Sequence, residues 1–171
     1  MKSCLLFALL IFLLGFLPDE NNVMTVDGAE PNDWNPKSFW YYPWGRSGVH
    51  KGIDIFAAKG TPVRAATGGI VLFSGNYGRG GKVVYMLGAN WRFHYFAHLD
   101  TVSVPWHKMV SAGQQIGTVG TTGNAQGKAP HLHYTIKSLF PRFWTYQHGD
   151  YAAWQHTFYL DPGKFLRGVP Q

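Results

Sequence analysis

The apolar residues of this chain come in short runs, and most of those runs are closed off by glycine or proline. The 171 residues include 21 glycines and 10 prolines. No long stretch keeps the 3.6-residue spacing of an amphipathic helix. KVVYML (82–87), WRFHYFAHL (91–99) and HLHYTIK (131–137) are instead of strand length. GAN (88–90) separates the first two of these, a hairpin signal. Further strands are expected around Val63–Ala65 and Ile70–Phe73. The fold class is therefore all-β: a mainly antiparallel sheet with few short helices.

The first residues stand apart from this pattern. Lys2 precedes a 14-residue apolar run, Cys4–Leu17, and Pro18 and two acids follow it. A run of that length fits a secretory signal and is short for a full span of roughly 20 residues. Residues 1–18 are expected to be a cleaved signal peptide or a retained membrane anchor. In both cases the body lies outside the cytoplasm, in the periplasm or cell envelope. Cys4 is the only cysteine, so thiol catalysis and disulfides are excluded from the body.

Charge divides what remains. Residues 19–36 carry five acids and no Lys or Arg, whereas residues 37–171 carry 14 Lys or Arg against four Asp. An acidic linker (19–36) is thus expected to lead into one basic domain (37–171), expected to be a monomer. The basic surface suits an anionic partner such as cell-wall carboxylates. No aromatic–basic RNA motif accompanies it, so nucleic acid is not expected.

Histidine is the informative residue. His50 and Asp54 form H-x-x-x-D within HKGID, and Gly52 lets the chain bend so that the two side chains converge. In HYFAH, period two places His94, Phe96 and His98 on one strand face. In HLH it does the same for His131 and His133, roughly 7 Å apart. A catalytic zinc takes three ligands from His and carboxylate groups, which His50, Asp54 and one HLH histidine supply. The other HLH histidine is too distant to share that ion, and is placed to act on a water or substrate beside it. No glutamate follows Glu30, so histidine must carry the proton transfers. His107, His148 and His156 carry no such pattern and are expected at the surface or in the core. His94 is a further candidate for lining the site.

Between Trp44 and Ile136 the chain resembles the lysostaphin-like, LytM-type zinc endopeptidases of bacterial cell walls. The resemblance rests on HKGIDIFAAKGTPVRAATGGIV, YFAHLDTVSV and VSAGQQIGTVGTTGNAQGKAPHLHYTI, and extends to DPGKFL near the end. It implies one zinc at the floor of a groove, with His50, Asp54 and His133 as metal ligands and His98 and His131 as the catalytic pair. It also implies hydrolysis of peptide bonds in peptidoglycan stem peptides or cross-bridges. A non-hydrolytic module of the same fold, binding peptidoglycan or activating a partner hydrolase, is the alternative. Phe96 stands where the family pattern has tyrosine, with Tyr95 expected on the opposite strand face. Tyr42 is a candidate for the tyrosine that assists the oxyanion in some members. The aromatic segment 138–160 is an addition, expected as a groove wall or partner surface. Asn22, Asn32 and Asn35 are candidates to reach the zinc and hold the enzyme latent.

Overall fold

The computed structural model describes residues 22–168 together with Cys4, Leu6, Phe7, Phe12, Leu13 and Gly15. The expected signal or anchor segment, residues 1–18, falls largely outside the described residues. Among the described residues no helix is long and apolar enough to cross a membrane.

One antiparallel sheet organises the molecule. Its strands are β1 (Ile53–Phe56), β2 (Pro62–Arg64), β3 (Gly69–Asn76), β4 (Lys82–Gly88), β5 (Arg92–Val102), β6 (Met109–Val110), β7 (Gln115–Val119), β8 (His131–Ser138) and β9 (Tyr159–Leu160). The order is β1-β8-β5-β4-β3-β6, with β7 pairing both β2 and β5, and β9 pairing β8. Among the described residues of the body, the helices α1 (Ala153–His156) and α2 (Pro162–Leu166) are short. The all-β reading holds.

Strand β8 shows why the sheet forms and what its two faces do. Leu132, Tyr134 and Ile136 are fully buried in the core with Ile53 and Ile55 of β1. His131, His133 and Thr135 alternate with them and line the opposite face. Burying the three apolar side chains, at about 1.5–3 kcal/mol each, fixes which face the histidines take. Gly52 does more than allow a bend. A Cβ there would lie 2.2 Å from the Tyr134 carbonyl oxygen, so only glycine lets the segment before β1 approach β8 so closely.

The stretch expected as an acidic linker is packed onto this body from Asn22 onward. Val26, Ala29 and Trp34 are buried in the main core, and Val26 forms a β-bridge to Val63. Asp27 pairs with Arg64, whose Nη2 donates to Oδ2 at 2.7 Å, and this bond holds the carboxyl below its usual range. Three isolated apolar residues among acids left no periodic signal, yet each fills a core site. Near the end of the chain, Asp161 caps α2 by accepting from the backbone N–H groups of Gly163 and Lys164, with Pro162 in the first turn.

Candidate metal centre and active site

The groove face of β1, β8 and β5 gathers the candidates. His50 lies just before β1 and is 1% exposed. Its Nδ1–H donates to the Ser38 carbonyl at 3.1 Å, which leaves Nε2 with a lone pair. That Nε2 lies 3.1 Å from Asp54 Oδ1 and 3.1 Å from His133 Nδ1, and the last two atoms are 2.7 Å apart. His133 Nε2 meets the Thr135 hydroxyl at 3.2 Å, so its Nδ1 is the nitrogen turned to the cluster. Three lone-pair atoms thus converge on one point, an arrangement that a cation at the centre resolves. Two imidazole nitrogens and one carboxylate oxygen are donors that zinc takes, with second-sphere bonds fixing each ring. Burial opposes ionisation of Asp54, but the His133 and His50 imidazoles at its Oδ1 outweigh it and hold the carboxyl well below its ordinary range. Burial likewise lowers the pKa of His133.

His98 and His131 stand beside this set. Their ring centroids are 5.1 Å apart, and His98 lies 6.0 Å from His133. Each has its Nδ1 held by a backbone carbonyl: His98 by Thr122 at 2.9 Å and His131 by Ala129 at 2.8 Å. With Nδ1–H donating, Nε2 is the free base nitrogen of both rings. Burial first, then the nearby His133 and His131, lowers the His98 pKa to about 4.

His98 reaches the groove by a route the alternation did not foresee. Phe93, Tyr95 and Ala97 line the groove, whereas His94 and Phe96 are fully buried in the opposite layer. His98 then follows Ala97 onto the same face, because the β4–β5 register shifts between Phe96 and Leu99 and His98 has φ of 64°. This is a β-bulge, one inserted residue that re-aims a side chain. The expectation that His94, Phe96 and His98 share a face is therefore corrected, as is the placement of Tyr95 away from the site. Tyr95 lies edge-on to His133 at 6.4 Å between centroids, and burial, then Tyr77, raises its pKa to about 12. His94 does not line the site. Its Nδ1 bonds the Tyr134 hydroxyl at 2.7 Å, and burial lowers its pKa to about 3.

Thr122 is a positioning residue that sequence reasoning missed. Its carbonyl orients His98, and its hydroxyl donates to the Leu99 carbonyl while accepting from the Lys82 N–H. The loops on either side meet backbone to backbone. A Cβ on Gly81 would lie 2.4 Å from the Gly123 nitrogen, and a Cβ on Gly123 would lie 2.3 Å from the Arg79 carbonyl oxygen.

The groove over this floor has a volume of about 460 Å³ and is walled on one side by Trp44, which stacks on His50 at 4.2 Å. Tyr42 stacks instead on Tyr151 at 4.2 Å. Neither Tyr42 nor Asn22, Asn32 or Asn35 is among the described residues that line the groove. His107 and His148 are exposed, and His156 stacks on Trp40 away from the floor.

A sheet groove floored by two histidines and an aspartate, with two further imidazoles at hand, has the donor set of a metal centre that zinc fits. The chain belongs to peptidase family M23, whose family profile matches residues 48–143. It is 43% identical over 89 residues to the DD-carboxypeptidase/endopeptidase Mpg of Neisseria meningitidis serogroup B, covering 52% of this chain and 20% of that protein. It is 34% identical over 128 residues to the murein hydrolase activator NlpD of Salmonella dublin, covering 66% of this chain and 33% of that one. The chain thus spans a fifth to a third of the length of these curated relatives. Among solved structures, the catalytic domain of the antimicrobial peptidase lysostaphin from Staphylococcus simulans superposes with a TM-score of 0.61 at 30% identity. That match covers 80% of this chain and 95% of the lysostaphin domain.

Proposed function

We propose that this chain is an exported zinc endopeptidase that hydrolyses peptide bonds in peptidoglycan stem peptides or cross-bridges, in the periplasm or cell envelope. The observation that carries this reading is the division of labour among five side chains. His50, Asp54 and His133 present three convergent lone pairs, and His98 and His131 keep a free Nε2 beside them. Bound by the first three, zinc supplies Lewis-acid polarisation of the scissile carbonyl and a hydroxide-like nucleophile at neutral pH. The rest falls to the protein. His131 Nε2 accepts the proton of the attacking water, and the imidazolium so formed, with His98 beside it, stabilises the developing negative charge and gives its proton to the leaving amine. The Ala129 and Thr122 carbonyls keep both imidazoles in the tautomer this needs. The depressed pKa of His98 leaves it uncharged at neutral pH.

The likeness to a murein hydrolase activator supports a second reading, a binding or activating module that does not itself cut. The intact five-residue set favours hydrolysis. Digestion of purified peptidoglycan by the zinc-loaded protein and by His131→Ala, scored by new amine termini, separates the two. The expected result is termini released by the wild type and abolished by chelator. Cleavage indifferent to chelator and to the substitution overturns the mechanism. Bound zinc without new termini on any wall type favours the module.

A further inference from the structure

The groove face of β8 does not end at the metal set. The alternation that places His131, His133 and Thr135 there continues to Lys137, four residues beyond His133 and so roughly 13 Å along the strand. Lys51, from the segment before β1, reaches the same place. The Nζ atoms of Lys51 and Lys137 lie 5.9 and 6.0 Å from the centroid of one ring, that of Tyr159 on β9. Two ammonium groups are thus gathered at one aromatic ring at one end of the groove.

Neither lysine has a carboxylate partner among the described residues, although other cations have one: Lys59 pairs with Asp100, and Arg64 with Asp27. Asp54 is the only acid among the described groove-lining residues, and His133 and His50 already engage it. Like charges brought together along a groove repel one another, and an anion between them relieves that repulsion with charge-assisted hydrogen bonds.

We infer that Lys51, Lys137 and Tyr159 form a carboxylate-binding subsite. It recognises a free carboxylate on an extended peptide lying along β8, a few residues from the bond presented to His131 and His133. The inference rests on the endopeptidase reading and adds its substrate class: acidic peptides are taken in preference to the same peptides with the carboxylates amidated. The strand geometry sets the register, because a peptide of similar rise spans the same interval in about four residues.

Binding and turnover test this separately. Stem peptides prepared from peptidoglycan, with carboxylates free or amidated, are titrated against the zinc-loaded His131→Ala protein by calorimetry. Amidation is expected to weaken binding about 10-fold, the size of one charge-assisted contact, and added salt to narrow the difference. The double variant Lys51→Gln/Lys137→Gln in that background is expected to bind both peptides equally, and Lys51→Arg/Lys137→Arg to restore the preference. Circular dichroism melting confirms that the variants fold. Equal affinity for both peptides without the lysine substitutions, no binding of either peptide, or a preference that survives Lys→Gln overturns the subsite. Turnover by the protein with His131 intact reports on the endopeptidase reading alone. A charge preference in binding with no hydrolysis sinks that reading and leaves the subsite standing.

Discussion

The floor of the groove and the aromatic segment beside it are built in opposite ways. On the floor, His50, His98 and His131 are 1%, 7% and 6% exposed, and each ring is held by a backbone carbonyl. In the segment 138–160, Phe143, Trp144 and Trp154 are 62%, 79% and 56% exposed, on short helical turns and loops. The floor gains precision from backbone hydrogen bonds in a buried setting. The aromatic segment turns these side chains outward while its backbone is tied to the body, through the pairing of β9 with β8, the stack of His156 on Trp40 and the bond from Trp40 Nε1 to the Tyr151 carbonyl. Imidazoles are gathered where side chains are buried and held by the backbone, and large apolar surface is left at the exposed rim.

The sharpest way to break this contrast is to truncate a floor imidazole. His131→Ala is expected to lower kcat by about 10²–10⁴-fold with the fold intact, measured on peptidoglycan fragments and by circular dichroism. A loss below 10-fold would mean that the ring is only packed there.

Beneath the floor, His94 is a buried imidazole with a structural part alone. Its folded pKa of about 3 lies below the ordinary 6.5, so the unfolded chain binds more protons between those values. Its contribution is therefore fully present above pH 6.5 and is lost as pH falls toward 3. The amount is on the order of 5 kcal/mol. Urea unfolding of the wild type and of His94→Phe across pH 4–7 checks this. The variant is expected to have the shallower pH slope, and equal slopes would remove His94 from the account.

Gly81→Ala tests the loops that hold His98. The added methyl meets the Gly123 backbone at a position with φ of 67°, and the expected loss is roughly 1–3 kcal/mol of stability with a fall in kcat. Chemical denaturation and steady-state kinetics read the two. The smallest effect belongs to the aromatic segment: Trp144→Ala is expected to change stability by less than about 0.5 kcal/mol. A larger melting shift would show that the segment is an integral part of the domain.

What the sequence discloses follows from the same contrast. HLHYTIK announces its faces because apolar and polar residues alternate without interruption, and H-x-x-x-D with Gly52 announces a bend. The bulge at His98 is silent, since nothing in YFAHL marks the residue that will take a positive φ. With it, the true positions of Tyr95 and His94 were also hidden. Thr122 is invisible for another reason: it acts chiefly through a carbonyl, which every residue possesses. The packing of residues 22–34 escaped notice because Val26, Ala29 and Trp34 are single apolar residues in an acidic stretch.

The meeting of Gly81 and Gly123 has a consequence for how such a site can diversify. Neither loop has room for a side chain at the contact, so neither can be exchanged alone without displacing the other and, through Thr122, the His98 imidazole. The two loops form one heritable unit although about forty residues separate them in sequence. Variants that remodel this end of the groove will need paired changes, whereas the rim at Trp144 and Trp154 is open to change one residue at a time.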